Sequence, residues 1–387
     1  MRILQIVPSI SLVYGGPSQM VLGLSAALAR AGVEVMVLTT DSNGDTGQAP
    51  LDVPLDSPVE QDGYQVRYFR CSPFRRYKFS LDLLGWLYQH AKEFDLAHIH
   101  ALFSPVSSCA ATVARSRSLP YILRPLGTLD PADLQKKKQL KQIYAALLEK
   151  PNIAGAAAIH FTSLQEANVS ERFGVSTKDL VIPLGVQLPS SNPPSPIPDS
   201  PFPTLLYMSR IDPKKGLNLL LPALENLLAE GFKFHFVLAG GNPQDPDYEA
   251  KIKAQVEGSP LVEYATIAGF VTGDRKASLL QQADLFVLPS YYENFGIAVA
   301  EAMASGTPVV ISDGVYIWQD VQQAEAGWVA SLTVESLKET LRLALSNGEE
   351  RRLRGERAKE YALSHYSWDA IAQQTIAAYK EILSERA

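Results

Sequence analysis

Leu285-Phe286-Val287-Leu288-Pro289, then Ser290-Tyr291-Tyr292-Glu293-Asn294-Phe295-Gly296, then Ile297-Ala298-Val299-Ala300-Glu301-Ala302-Met303-Ala304-Ser305, then Gly306-Thr307-Pro308-Val309-Val310-Ile311-Ser312 run on without a break. The first run is four apolar residues closed by proline, the pattern of a strand buried on both faces. The second ends in glycine and opens a stretch of small apolar residues long enough for a helix. A second apolar run begins once Gly306 has stopped that helix and Pro308 has barred its return. Strand, loop, helix, strand is a crossover unit, and it requires parallel strands.

Working outward, the same alternation fills the chain. In the first half, apolar runs at 3–7, 33–39, 65–70, 96–100, 121–124, 157–161 and 180–182 read as strands, and 18–30 reads as a helix. After residue 203 the alternation resumes, with strands at 204–209, 233–239, 262–268, 285–289, 308–312 and 327–330. Helices at 217–230, 275–283 and 297–305 separate them, and long helices close the chain from 334 onward. Eight prolines between 183 and 203 forbid helix and central strand there, so that segment is a linker. The fold class is therefore α/β: two Rossmann-like parallel-sheet domains in tandem, facing a central cleft. The expected boundaries are 1–184 for the N-terminal domain, 185–203 for the linker and 204–367 for the C-terminal domain.

Composition narrows the function. The chain has 387 residues, 46% hydrophobic and 20% charged, which is ordinary globular material. A formal net charge of −6 argues against a nucleic-acid partner, since such binding rests on neutralising phosphates. The two cysteines, Cys71 and Cys109, form no CxxC pair and read as small buried hydrophobes. Gln5 and Pro8 interrupt the first apolar run, so it reads as a strand and not as a signal peptide. No run of about 18 apolar residues occurs, so no membrane span is expected, and the protein is expected in the cytoplasm.

Ligands of open α/β sheets bind beyond the carboxyl ends of strands, so chemistry is sought in the loops that follow them. Gly15-Gly16-Pro17 lies before the first helix; it is not GxGxxG, and a plain turn is the alternative. Ser209-Arg210-Ile211-Asp212-Pro213-Lys214-Lys215-Gly216 sets cations between a strand and a helix, where they could clamp phosphate oxygens; a solvated charge cluster is the alternative. Glu293 lies in a loop, and Asn294–Gly296 open a helix whose first N–H groups lack partners. Glu301 sits on that helix among Ala298, Ala300, Ala302 and Met303. A carboxylate there needs donors, and the hydroxyl groups of a ligand would serve. A surface ion pair is the alternative, disfavoured by those apolar neighbours.

Glu293 and Glu301, with seven residues between them, resemble the E-x7-E pattern of retaining glycosyltransferases of GT-B architecture, the large group often called family 4 or glycosyltransferase group 1. The resemblance extends over Gly15-Gly16, Asp95-Leu96-Ala97-His98-Ile99-His100, Arg210…Lys215-Gly216, Gly240-Gly241, Gly269-Phe270-Val271 and Ala283-Asp284-Leu285…Ser290. It implies that Arg210 and Lys215 hold the diphosphate of a nucleotide-sugar, that Glu301 binds the ribose hydroxyls, and that Glu293 faces the donor sugar. Asn294, Phe295 and Gly296 would line the sugar or distal phosphate, and Phe270 and Val271 the base. Gly15 and Gly16 would approach the diphosphate from the first domain. No cofactor and no metal are implied; the nucleotide-sugar is a co-substrate, and the acceptor is a glycan, a lipid-linked sugar or a small molecule. The C-terminal helix, about 368–387, is expected to return to the first domain.

One departure stands out. Leu126 occupies a place where many relatives carry histidine. The acceptor-side candidates are therefore His100, Arg124, Thr128 and Asp130, with His100 also counted among the catalytic set of Glu293, Arg210 and Lys215. His98 and His100 are taken to face opposite sides of their strand, which argues against a shared metal. Asp245-Pro246-Asp247 reads as a solvated turn and not as a metal-binding DxD. Lys136-Lys137-Lys138 and Lys141, beside Leu140, Ile143, Tyr144, Leu147 and Leu148, suggest either a solvated helix face or peripheral contact with an anionic membrane. Two other functions fit the same motifs: a nucleotide-sugar epimerase of this architecture, and a non-catalytic nucleotide-sugar-binding protein.

Overall fold

A computed structural model describes residues 1–44, 48–72, 77–134, 138–187 and 201–385. Most of the proline-rich stretch (188–200) and two of the clustered lysines, Lys136 and Lys137, lie outside the described residues. The chain divides into two compact units, Met1–Gly185 with Trp368–Ala387, and Val186–Ser367.

The first unit holds β1 (Arg2–Ile6), β2 (Glu34–Thr40), β3 (Val59–Gln61), β4 (Tyr64–Phe69), β5 (Leu96–His100), β6 (Tyr121–Arg124), β7 (Ala158–Phe161) and β8 (Asp179–Val181). Their order in the sheet is β3-β4-β2-β1-β5-β6-β7-β8. Every pairing is parallel except β3 with β4. That hairpin was not expected, although its turn residues Asp62 and Gly63, both at positive φ, are a hairpin signal in the sequence. The helix Gly16–Arg30 covers one face with Met20, Val21, Leu24, Ala27 and Leu28, spaced at three and four. Helices Leu81–His90 and Pro105–Ser116 cover the other through Leu83, Leu87, Val106, Ala110 and Ala114.

The last helix, Trp368–Ser384, belongs to this unit and packs against Gly16–Arg30. Its anchor is Trp368. A Cβ on Gly23 would lie 2.3 Å from that ring, and one on Gly185 2.2 Å, so both positions must lack a side chain.

The second unit holds β9 (Thr204–Met208), β10 (His235–Ala239), β11 (Ala265–Gly269), β12 (Leu285–Leu288), β13 (Val309–Ser312) and β14 (Gly327–Ala330), ordered β11-β10-β9-β12-β13-β14 and parallel throughout. β9 and β12 are buried at every position, as their unbroken apolar runs require. The strand expected at 262–268 starts three residues later. Ser259 caps a short 3-10 turn, Pro260–Tyr264, by accepting a hydrogen bond from Leu261 N at 3.2 Å, and proline at its first position favours that turn over extended chain. No helix among the described residues is long and apolar enough to cross a membrane.

Candidate active site

The second sheet reverses its winding between β9 and β12: β10 lies on one side of β9 and β12 on the other. The crevice beyond their carboxyl ends is where such sheets bind ligands. Arg210 stands two residues past β9, exposed, and its side chain makes no ion pair among the described residues. Tyr207, wholly buried, donates its hydroxyl to the Arg210 carbonyl at 3.1 Å and fixes the turn. The Asp212 carboxylate then accepts from Lys214 N at 2.9 Å, shaping the 3-10 turn Pro213–Lys215.

Gly216 ends that turn in the left-handed region, at φ +73°. A Cβ there would meet the Pro289 carbonyl oxygen at 1.9 Å. Glycine is therefore what lets the loop after β9 lie on the loop after β12. Tyr291 N donates to the Lys214 carbonyl at 2.8 Å across this contact. The outcome is a direct ion pair between Lys215 Nζ and a Glu293 carboxylate oxygen, both largely shielded from solvent. The Glu293 backbone is held from the other side: its N–H donates to the Gly314 carbonyl and its carbonyl accepts from Tyr316 N, both at 2.9 Å.

Asn294 Oδ1 accepts from the Tyr292 hydroxyl, and Phe295 is buried edge-on against Tyr366 with ring centroids 5.2 Å apart. Gly296, at φ +81°, begins the helix Ile297–Ala304; no side chain caps it and its first turn carries no acid. That end of the helix keeps its positive partial charge uncompensated. Glu301 lies one turn and a half further on, and its Oε1 accepts from Lys276 Nζ at 2.6 Å. The ion pair that the apolar neighbours argued against therefore exists. Ala300, Ala302 and Met303 are buried, but the Glu301 side chain leaves between them and reaches the helix Gly273–Gln282. Lys276 carried no signal of its own, being one cation in a polar helix.

Gly269, at φ +66°, turns the chain after β11; Phe270 projects with 79% of its surface exposed, while Val271 is buried. Asp245, of the DxD triplet, is the N-cap of the helix Pro246–Glu257 and accepts from Tyr248 N at 3.1 Å. In the first unit Gly15, at φ +70°, precedes the helix that starts at Gly16, in a loop whose Leu12 and Val13 are exposed.

Three of the four acceptor-side candidates are buried in the first unit. His100 is wholly buried and Arg124 is 2% exposed, so neither presents a group to solvent. Asp130 is buried as well, and the Thr128 hydroxyl donates to the Pro125 carbonyl at 2.8 Å within its own turn. His98 and His100 do not face opposite sides. Residues two apart on a strand share a face, and their rings stack at 4.6 Å. They belong to a polar layer with Gln5, read in the sequence only as an interruption of the first apolar run, and with His160, which was not singled out. The signal was there, as Gln5 in β1, His98 and His100 in β5, Arg124 in β6 and His160 in β7, each in an otherwise apolar run.

The order of donors in this layer follows from its fixed ends. The Ile182 carbonyl can only accept, so His160 Nε2 carries a hydrogen (2.9 Å) and His160 Nδ1 accepts from His98 Nε2 (3.1 Å). His98 Nδ1 then accepts from the Tyr379 hydroxyl (2.8 Å). Gln5 Nε2 donates to the Tyr379 oxygen (3.1 Å), and His100 Nε2 donates to Gln5 Oε1 (2.7 Å). This order has each imidazole neutral, with His100 Nδ1 left without a partner among the described residues. Burial pushes each well below its ordinary pKa, with neighbouring Arg124 acting in the same direction. Burial also lowers Arg124 itself, to about 10.

Comparison with known proteins agrees with this geometry. A family model described as a glycosyl transferase 4-like domain matches residues 15–185, and one described as glycosyl transferases group 1 matches 192–361. An uncharacterised glycosyltransferase of Methanocaldococcus jannaschii is 32% identical over 46% of this chain and 44% of its own length, so that match spans less than half of the relative. Phosphatidyl-myo-inositol mannosyltransferase of Mycobacterium leprae is 26% identical over 99% of this chain and 97% of its own. Among solved structures, Anabaena HepE in complex with UDP superposes with a TM-score of 0.73 at 18% identity, covering 98% of this chain and all of that one, which speaks to the fold alone. With both halves matched in order and two Rossmann-like sheets of GT-B type, the chain belongs to the glycosyl transferases group 1 family.

Proposed function

We propose that this protein is a retaining, metal-independent glycosyltransferase that moves a sugar from a nucleotide-diphosphate-sugar to a hydroxyl of a glycan, lipid-linked or small-molecule acceptor. The observation that carries the proposal is the Lys215–Glu293 ion pair at the carboxyl ends of β9 and β12, with Arg210 in the loop after β9 and Glu301 on the helix that follows the loop after β12. In this reading the arriving diphosphate takes Lys215 from Glu293. The freed carboxylate then accepts hydrogen bonds from the donor sugar, while Glu301 accepts from the ribose.

The bond between the anomeric carbon and the phosphate oxygen breaks, and its electron pair goes to the departing phosphate. Arg210, Lys215 and the uncapped helix end at Gly296 stabilise that charge where it develops. The acceptor oxygen bonds to the same face of the carbon, and its proton passes to the leaving phosphate. The UDP bound by the HepE structure and the mannosyl transfer in the name of the Mycobacterium leprae relative support a nucleotide-sugar donor. Exposed Ile143 and Leu147, one turn apart beside Lys141, support peripheral contact with a membrane that bears the acceptor.

The test is a thermal-shift screen with UDP, GDP, ADP and their common sugars, followed by transfer assays on the donor that stabilises the protein. Stabilisation by one nucleotide class, lost in Lys215→Ala, is the expected result. No stabilisation by any of them would end the proposal. Epimerised donor formed without acceptor, or binding without turnover, would replace it with an epimerase or a non-catalytic binder.

A further inference from the structure

We infer that Lys276 is a positioning residue for the nucleotide, acting through Glu301 to set how the ribose is held. The inference rests on the reading above and extends it to a residue outside the motif. Glu301 stands on the helix Ile297–Ala304 and Lys276 on Gly273–Gln282, the helix that follows the Gly269-Phe270-Val271 turn. Their ion pair, Nζ to Oε1 at 2.6 Å, therefore ties the segment assigned to the base to the residue assigned to the ribose.

Its geometry suits a diol. An ionised carboxylate offers about four acceptor positions on two oxygens, and Lys276 engages only Oε1. Oε2 is left for neighbouring hydroxyl groups, while the lysine suppresses the other rotamers of a long side chain. The Glu301 side chain is 15% exposed and that of Lys276 35%, so the carboxylate is the sheltered partner and the ammonium reaches it from the solvent side. A lysine that merely balanced surface charge would contribute little and would not discriminate between sugars.

The discriminating experiment is calorimetric titration of wild type, Lys276→Ala, Lys276→Arg and Glu301→Gln with a nucleoside diphosphate and with its 2′,3′-dideoxy counterpart. Wild type should bind the ribonucleotide at least tenfold more tightly than the dideoxy form. Lys276→Ala should lose about tenfold toward the ribonucleotide, the effect of weakening one charge-assisted hydrogen bond, and little toward the dideoxy form. Lys276→Arg should restore most of the difference, and Lys276→Ala added to Glu301→Gln should cost nothing more. Equal loss toward both ligands would make Lys276 a general counter-charge and overturn the inference, as would an unchanged ratio in Lys276→Ala. Wild type that binds neither ligand would instead overturn the nucleotide-sugar reading, and this inference with it.

Discussion

The two units wind their sheets alike and treat the same place in opposite ways. In both, the winding reverses at the first strand, between β1 and β5 in one and β9 and β12 in the other. In the second unit the polar residues there stand beyond the strand ends and pair as Lys215–Glu293 and Lys276–Glu301. In the first unit they belong to the strands themselves, Gln5, His98 and His160 within them and His100 and Arg124 as last residues, all 2% exposed or less. The helix Trp368–Ser384 seals them, and its Tyr379 completes their hydrogen-bond chain. A shift of a few residues along a strand thus decides whether a polar group becomes binding surface or core. In the core Gln5 and the three imidazoles are linked by hydrogen bonds, whereas His100 Nδ1 and two of the Arg124 nitrogens are buried without a partner among the described residues, which is costly there.

The largest expected contrast is with pH. The three imidazoles of the first unit are held neutral when folded, while in the unfolded chain they take protons below about 6.5. The unfolded state then binds more protons, so stability falls as pH drops below that value. Each imidazole contributes up to about 1.4 kcal/mol per pH unit. The second unit carries one depressed imidazole, the half-buried His235. Hydrogen exchange corrected for its chemical rate, followed from pH 7.5 to 5, should show β1, β5, β7 and the last helix losing protection first. Parallel loss in both units would erase the contrast.

Next in size is chemistry in the second unit. Arg210→Ala and Lys215→Ala should each lower transfer by a factor corresponding to about 2.7–4 kcal/mol, with an unchanged melting temperature for Arg210→Ala because that side chain holds nothing else. Near-normal turnover in either would show that these cations do not hold the donor. Gly216→Ala should destabilise the second unit by about 3 kcal/mol, combining left-handed strain with a backbone clash at Pro289. Chemical denaturation is the check, and a neutral effect would mean the two loops are not locked together. The smallest effect is Tyr379→Phe, which strips partners from His98 and Gln5 and should cost about 2 kcal/mol. It should leave nucleotide affinity untouched. A change in that affinity would break the division of labour between the units.

Much of this was legible in the residues. Predominantly apolar runs bounded by turn residues placed β5, β6 and β14 to the residue. Loop motifs pointed to the loops after β9 and β12, which lie side by side and bring Lys215 to Glu293, because loops after adjacent strands share one edge. The polar layer was misread. Alternation was applied to His98 and His100 with the wrong parity, and nothing local says that a helix some 280 residues away supplies the hydroxyl bonded to His98. Lys276 was likewise invisible, since its meaning lies in a carboxylate 25 residues further on.

By itself, then, the sequence determined the fold class, the tandem sheets and the loops that carry charge, since periodicity and turn chemistry are local properties of the chain. Only the tertiary structure decided which polar groups are sealed and which are reachable, and which cation meets which carboxylate. Burial and ion pairing depend on distances between segments far apart in sequence, and those distances are set by packing.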